Sequence, residues 1–586
     1  MKKFKKKPTP EVGREQGDSR RNDAFPWGVY RFSGFAFLAA VLLFAVYQPS
    51  LNGPFLFDDS YLPMLAPNGA AQPLTNWVNG VRPVLMVSYW ANTQLSGLDP
   101  YAFKLTNVLI HAIAGILVWL WVRKVTLEIV SQAESLFAGT FVMLVFLFHP
   151  LQTESVAYVA GRSESLSGML TLAALVLFLY RGKEAIGWNR SLAVLLCFSL
   201  ALCVKEHAVS LLFLMGFSDY FFNPGFSSRG VRQNWRVYVP ILIAGIIGAI
   251  ATFRLLRSAN SAGFGMIGLT WKEYLLTQFR TIFGYIRLFL VPIGQNADHD
   301  QAISHSLLDH GSLIALVGLL GLTFTAWHFR KRLPLASYGF FVFLILLGPT
   351  SSFVPIKDTF VERRMYLPTV GLCLVIAQFL IIPQFSRKVK IALLAIISLG
   401  CAYASYTRNE VWSSQLAFWK DTAAKSPQKS RPVFQLAYTE YMAGMCEEAL
   451  QGFAQVEKLE KPDYRLYADW ALAADCSGHL PLALDKLKLG EAIENNVHLH
   501  ATKAMILAKQ EKNEEALNEL DQADKMNPNF AMSHFYRGNI YFGQKEYGKA
   551  VQAYTKCLEL DPNHHAARQA LAMIRRQQKR DVQGGK

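Results

Sequence analysis

The sequence predicts an all-α chain in two parts, a polytopic membrane helical domain followed by a helical solenoid. Three observations carry this. The 586 residues are 52% hydrophobic and only 17% charged, against about 25% charged residues in average soluble domains. The charge is unevenly divided: residues 411–586 hold 23 Lys and Arg against 22 Asp and Glu, so nearly all of the formal +16 lies in residues 1–410. The polar part is periodic, with Ala449, Ala483, Ala516 and Ala550 separated by 34, 33 and 34 residues. Such a composition excludes a disordered or collagen-like chain and disfavours an ordinary cytosolic enzyme. The basic excess belongs to membrane flanks, so no nucleic-acid partner is expected.

A spanning helix needs about 20 apolar residues, fewer if its flanks snorkel. Spans are expected near 31–48, 104–122, 135–149, 165–180, 190–204, 207–222, 237–254, 312–329, 337–353, 366–383 and 391–407, eleven in all. The first begins late and is followed by many others, so it reads as a span and not a cleavable signal. Lys2, Lys3, Lys5, Lys6, Lys7, Arg20 and Arg21 place the N-terminus in the cytoplasm. Arg123–Lys124, Arg181–Lys183, Arg229–Arg232–Arg236, Arg330–Lys331–Arg332 and Arg387–Lys388–Lys390 belong on the same side. The alternation closes only if a twelfth apolar stretch, 272–291, does not cross. Interrupted by Arg280 and Arg287, it is predicted to lie in the outer interface or to re-enter there. The chain then divides into a basic cytoplasmic tail (1–30), a membrane domain (31–407), a solenoid outside the membrane (408–575) and a basic flexible tail (576–586).

This topology gathers charges on the outer face. The outer loops 49–103, 149–164, 255–311 and 354–365, with the short turn at 205–206, hold Asp58, Asp59, Arg82, Glu154, Arg162, Glu164, Lys205, Glu206, Asp298, Asp300, Glu362, Arg363 and Arg364. Ionisable groups at a membrane are costly and mark function, here a site for a charged, membrane-bound substrate. In Phe55-Leu56-Phe57-Asp58-Asp59 a carboxylate suits a general base acting on a hydroxyl or a metal ligand; a helix N-cap is an equal alternative. Around His149-Pro150 and Glu154, with Gly161-Arg162-Ser163-Glu164, the plain alternative is a capped helix pair with a Glu–Arg bridge. Arg363 and Arg364 break the positive-inside bias, as do Arg254 and Arg257; a gripped phosphate explains them, with interfacial snorkelling as the alternative. There is no GxxxxGK[ST] phosphate loop. Energy for transfer must therefore arrive in an activated, lipid-linked donor.

The 34-residue period is that of tetratricopeptide (TPR) repeats. Gly538, Tyr541, Ala550, Tyr554 and Pro562 fill the small, aromatic and proline positions of the last repeat. Leu507, Ala516, Leu520 and Ala523 do so in the one before, closed by Pro528. Two looser repeats surround Phe453 and Trp470, and a half-repeat with Trp419 and Pro427 joins the last span. Stacked repeats curve into a groove that binds peptide or protein. The seven cysteines show no metal-ligand spacing. Core packing is expected of all of them, with a Cys446–Cys476 bridge the less favoured option.

Phe57-Asp58-Asp59, Arg82-Pro83, Asn107 with His111, His149-Pro150 with Glu154 and Gly161-Arg162, Lys205-Glu206, Glu362-Arg363-Arg364-Met365-Tyr366-Leu367-Pro368 and a terminal repeat array occur in that order. From about residue 31 onward the whole resembles the transmembrane and TPR protein O-mannosyltransferases, more closely their bacterial relatives, of the GT-C class of membrane glycosyltransferases. The resemblance implies an inverting transfer of mannose or another hexose from a polyprenyl-phosphate donor to Ser or Thr of a protein, on the outer face of a bacterial inner membrane. It implies Asp58 or Asp59 as the catalytic base, Asp58 slightly favoured. Arg363 and Arg364 become the first candidates for the donor phosphate, followed by Arg82, Arg162 and Lys205. His111, His149, Glu154, Glu164, Glu206, Asp298, Asp300 and Tyr366 take supporting roles: orienting these cations, binding sugar or holding a divalent metal ion. No soluble cofactor is needed. The alternatives are a GT-C enzyme acting on a glycan or lipid, disfavoured by the repeat groove, and a membrane-anchored repeat scaffold, for which so many spans and outer charges are excessive.

Overall fold

The computed structural model describes residues 29–181, 185–222, 226–256, 263–264, 266, 268–381 and 385–584. Residues 1–28, Lys183, Arg257 and the Arg254 side chain lie outside the described set. Every long element within it is a helix. In the first part these are α1 (Val29–Leu51), α2 (Pro83–Ser96), α3 (Pro100–Thr126), α4 (Gln132–Phe148), α5 (Arg162–Leu179), α6 (Trp188–Leu202), α7 (Ser210–Phe222), α8 (Trp235–Leu256), α9 (Trp271–Leu290), α10 (Ser312–His328), α11 (Pro334–Leu347), α12 (Pro368–Leu380) and α13 (Arg387–Val411).

A helix stands at each of the eleven expected spans. Among the described residues five are long and apolar enough to cross a membrane; α4 with Pro150–Val156 makes a sixth, bent by 54°. The bend follows from His149-Pro150, since proline forces the preceding residue out of the α region; His149 sits at φ −72°, ψ 132°. Local signals set other boundaries. Asp99 caps α3 by accepting from Tyr101 N–H, with Pro100 in the first turn. Thr270 and Glu273 form a reciprocal capping box on α9. α11 and α12 approach so closely that a β-carbon on Gly339 or Gly371 would fall 2.5 Å from the other helix's backbone, the contact that small residues permit between membrane helices.

The loops sort to two ends. At one, Lys390 bonds Glu134 (2.9 Å), Arg181 pairs with Asp219, Asn234 accepts from Ile186 N–H (3.0 Å), and Arg330 lies over the rings of Phe226 and Trp327. These are the loops of the basic clusters. The opposite end gathers residues 50–60, 147–164, 204–207, 289–299 and 359–366. Several polar contacts tie α9 to this second end and to the segment that leads into it: Tyr274 donates to Thr350 O, Gln278 to Thr359 O and Tyr285 to Val361 O, while Phe289 O meets His149. Arg280 and Arg287 donate to the carbonyls of Ala302 and Ile293, in the segment that follows.

The solenoid comprises α14 (Gln415–Lys425), then the pairs α15 (Ser430–Met442) with α16 (Cys446–Leu459), α17 (Tyr464–Cys476) with α18 (Leu480–Ile493), α19 (Val497–Lys509) with α20 (Asn513–Met526) and α21 (Ala531–Gly543) with α22 (Tyr547–Leu560), closed by α23 (His565–Gly584). Ala449, Ala483, Ala516 and Ala550 are fully buried, as helix approach at those positions requires. α13 runs through residue 407 without a break, and α23 continues to Gly584. One expectation needs correction: Cys446 and Cys476, expected to pack in the core, form a disulfide, Cα–Cα 5.9 Å. Their separation of 30 residues is one repeat less one helical turn, so stacking brings the start of α16 beside the end of α17. The other five cysteines are free.

Candidate active site

Phe57 opens the acidic turn at φ +53°, a left-handed conformation that costs a β-carbon residue roughly 1–2 kcal/mol. The ring is boxed in by Tyr158 (6.0 Å), Phe418 (6.0 Å) and Trp419 (5.8 Å), with the Arg431 guanidinium 5.2 Å above it. Phe418 and Trp419 belong to α14 and Arg431 to α15. The first helices of the solenoid therefore form part of the site wall, and Trp412, Phe418 and Trp419 join the main core of the membrane domain.

The two carboxylates that follow have different surroundings. Asp59 is fully buried; its oxygens accept from Ala160 N–H (2.7 Å) and Leu56 N–H (3.0 Å). Burial pushes its carboxyl up to about 7, outweighing those two bonds and the nearby Lys104. Lys104 itself donates to Ser50 O and Gly53 O, tying α1 to α3. Asp59 thus fastens the loop after α1 to the 157–161 turn. Asp58 is partly exposed and, among the described residues, pairs with no cation. It faces Tyr158 and lies within electrostatic reach of Arg363 and Arg431.

Arg363 is held from two directions: Glu154 accepts from its backbone N–H (2.9 Å) and pairs with its guanidinium. The guanidinium lies 5.9 Å from the Tyr158 ring centre, and the side chain keeps 19% exposure. Gly161 makes the turn beneath possible, because a β-carbon there would sit 2.6 Å from Glu154 O. Beside this pair lies a second knot. Glu164 pairs with Lys205 and with His207 (3.5 Å), and Arg82 grips Glu206 through Nε and Nη2 (3.2 and 3.0 Å). Glu164 and Lys205 both feel the charge of Arg363. Asp58, Glu154, Arg363, Glu164, Lys205, Arg82 and Glu206 are therefore gathered at one end of the bundle.

The remaining candidates hold the scaffold. Arg364 donates to Tyr274 Oη, Thr359 O and Asp358 O. Arg162 is fully buried between the Tyr89 and Phe103 rings and donates to Asn107 Oδ1, Ser88 O and Phe103 O. These two cations are committed to protein acceptors. His111 bridges Tyr366 Oη (3.0 Å) and Leu147 O (3.2 Å); since a carbonyl only accepts, Nε2 carries the proton and Nδ1 accepts from Tyr366. His149 accepts from Leu151 N–H and donates to Phe289 O. Glu362 collects Asn296 N–H, Gln295 and His299. Asp298 binds Arg431 and Lys429, and Asp300 is exposed. Sequence reasoning missed Tyr158, His207 and Arg431. His207 follows Lys205-Glu206 directly and was within reach of that motif. Arg431 sits among ordinary polar repeat residues and carries no signal of its own.

Among the described residues the one group of three metal-capable side chains within ligand distance is Glu491, His500 and Glu519. Lys503 already bonds both of those carboxylates, at 2.8–3.3 Å. In the charged cluster Glu154, Glu164 and Glu206 each pair with a cation.

A bundle of apolar helices, several long enough to cross a membrane, followed by a TPR array defines a helical membrane protein of composite build. A tetratricopeptide-repeat family profile matches residues 531–564. Across most of its length the chain is a homologue of protein O-mannosyl-transferases. It is 22% identical over 555 residues to protein O-mannosyl-transferase TMTC3 of Homo sapiens, covering 82% of this chain and 58% of that one. It is 23% identical over 445 residues to protein O-mannosyl-transferase F38B6.6 of Caenorhabditis elegans, covering 71% and 61%. The chain thus spans little more than half the length of these relatives. Among solved structures, ArnT from Cupriavidus metallidurans bound to undecaprenyl phosphate aligns over 78% of this chain and 80% of its own, at 14% identity and a TM-score of 0.39, a likeness too low to argue from.

Proposed function

We propose that the protein is an inverting, GT-C-type membrane glycosyltransferase that moves a hexose, mannose or another, from a polyprenyl-phosphate donor to Ser or Thr hydroxyls of proteins bound by the repeats. The observation that carries this is Asp58, a carboxylate without a cation partner on a strained, boxed turn opposite the partly open cation Arg363. Asp58 takes the proton of the acceptor hydroxyl; the freed oxygen bonds the anomeric carbon from the far side, and the bond from that carbon to phosphate oxygen breaks. The departing phosphate gains charge, which Arg363 stabilises without reorganisation because Glu154 already fixes it. Arg82, 37% exposed, and Lys205, 16% exposed, supply the outer part of the phosphate site. Relatives named for O-mannosyl transfer favour a protein hydroxyl as acceptor.

The proposed topology has eleven crossings of a bacterial inner membrane, the N-terminus cytoplasmic, α9 along the outer interface and the repeats periplasmic or extracellular. The Cys446–Cys476 disulfide supports that side, because such bonds persist in oxidising compartments.

The test is Asp58→Asn and Asp59→Asn, made separately and assayed for transfer from a polyprenyl-phosphate sugar. Asp58→Asn is expected to abolish turnover with folding intact. Asp59→Asn turns one acceptor into an NH2 facing a backbone N–H and is expected to cost about 1–3 kcal/mol of stability. Undiminished transfer by Asp58→Asn overturns the assignment of the base.

A further inference from the structure

The first helices of successive repeats pack side by side and form the inner face of the solenoid. On that face two carboxylates have acceptors to spare. Asp475 pairs with Lys509 through Oδ2 (2.6 Å), yet its side chain is only 9% exposed and Oδ1 is buried without a hydrogen bond. Asp469 makes neither a hydrogen bond nor an ion pair among the described residues, and burial, with a smaller push from Asp463, raises its carboxyl to about 6. Three tyrosines from two levels of the array, two on α15 and one on α21, lie within electrostatic reach of them. Tyr438 and Tyr441 of α15 stand 6.3 Å apart, ring to ring. Tyr438 feels Asp469, Tyr441 feels both acids, and Tyr536 of α21 feels Tyr441 and Asp475. Tyr438 is also 37% exposed, so the enclosure is open to a ligand.

We propose that this enclosure is a binding site for a cationic side chain, Lys or Arg, of the acceptor polypeptide, with Asp469 and Asp475 as its anions and the three tyrosines as its walls. The acceptor role rests on the transferase reading above; the cation site does not. A desolvated carboxylate with an unsatisfied oxygen is costly until a cation arrives, and a cation facing aromatic rings gains further once desolvated. A neutral peptide leaves Asp469 without a cation and Asp475 with Lys509 alone. Tyr438 lies two helical turns from Arg431, on the same face of α15 and about 10 Å along it. A segment held by its basic residue there leads towards the turn that carries Asp58.

The test is fluorescence anisotropy on the full chain in nanodiscs. The probe is a short fluorescein-labelled peptide rich in Ser and Thr with one central Lys, compared with the same peptide carrying norleucine. The Lys peptide is expected to bind about tenfold more tightly. Asp469→Asn is expected to remove the difference. Lys509→Met, which takes away the competing cation without touching the core, is expected to widen it, and keeps the test standing if Asp469→Asn fails to fold. Equal binding of the two peptides by the wild type, or a difference unchanged by a folded Asp469→Asn, overturns the site; a difference not widened by Lys509→Met removes Asp475 from it. The readout is binding, so discrimination between the peptides supports the site even if sugar transfer is never observed.

Discussion

The contact between the solenoid and the outer loops is the most exacting element of this architecture, and replacing Asp298 by Ala tests it. Asp298 accepts from Arg431 Nε (2.6 Å), Arg431 Nη2 (2.5 Å) and Lys429 Nζ (2.5 Å). Its side chain is 2% exposed, whereas Arg431 and Lys429 keep 35% and 28%. Breaking a buried ion pair costs about 3–5 kcal/mol, largely because one charge is left buried and unpaired. Here the acid is removed and the half-exposed cations regain water, while Arg431 retains Asp358 at 3.0 Å. The lower limit applies, about 3 kcal/mol, or about two orders of magnitude in the docking equilibrium. Hydrogen exchange followed by mass spectrometry reads this directly. Exchange across 415–442 is expected to rise, that of the repeats beyond 464 to stay unchanged, and turnover to fall as Phe57 loses the support of α14 and Arg431. Unchanged exchange across 415–442 refutes the reasoning, because docking would then rest on the aromatic contacts alone.

The same pair sets a pH dependence. Burial alone would raise the Asp298 carboxyl, but Arg431 and Lys429 hold it below its ordinary value. Its contribution is therefore complete above the unfolded carboxylate range, about pH 4, and is lost as pH falls through the lowered value; exchange across 415–442 should be flat from about pH 8 to 5 and rise only in stronger acid. Arg363→Lys keeps the charge but loses the planar fork that Glu154 fixes; kcat in the polyprenyl-phosphate assay should fall roughly tenfold or more, with exchange of the 154–161 turn unchanged. Reducing the Cys446–Cys476 bridge, which closes a segment of 30 residues, should destabilise the solenoid by about 3–4 kcal/mol, visible as a lower melting temperature. Thiol labelling of both cysteines in the native protein would remove the basis of that expectation.

The helices were legible because each is written locally. Apolar length marks α1, α3 and α10, the His149-Pro150 step marks the bend, and the alanine spacing marks the repeats. The outer cluster was legible as composition, since charges beside apolar ends stand out whatever they touch. Which charge does what was not legible. Asp58 and Asp59 are neighbours of one residue type, and what separates them is the turn at Phe57 and two backbone N–H groups, one of them more than a hundred residues away. Arg363 and Arg364 diverge in the same way, one towards Glu154 and the other towards carbonyls of its own loop. From sequence the Cys446–Cys476 bridge ranks below core packing, because its geometry belongs to the stacking of repeats.

That the solenoid helps to build the site bears on how the acceptor is presented. An array on a flexible tether would raise the local concentration of acceptors without choosing among their hydroxyls. Here α13 runs unbroken to Val411, α14 packs Phe418 and Trp419 against Phe57, and Arg431 joins α15 to Asp298 and Asp358. The inner face of the repeats is thereby fixed relative to Asp58 by aromatic packing and ion pairs. A polypeptide lying on that face can bring only a limited stretch of its length to the carboxylate. Selection under the proposed function would then depend on the distance between the residues held by the groove and the hydroxyl that receives the sugar, and an insertion variant that lengthens the 426–429 connection should broaden the set of hydroxyls modified before it lowers the total.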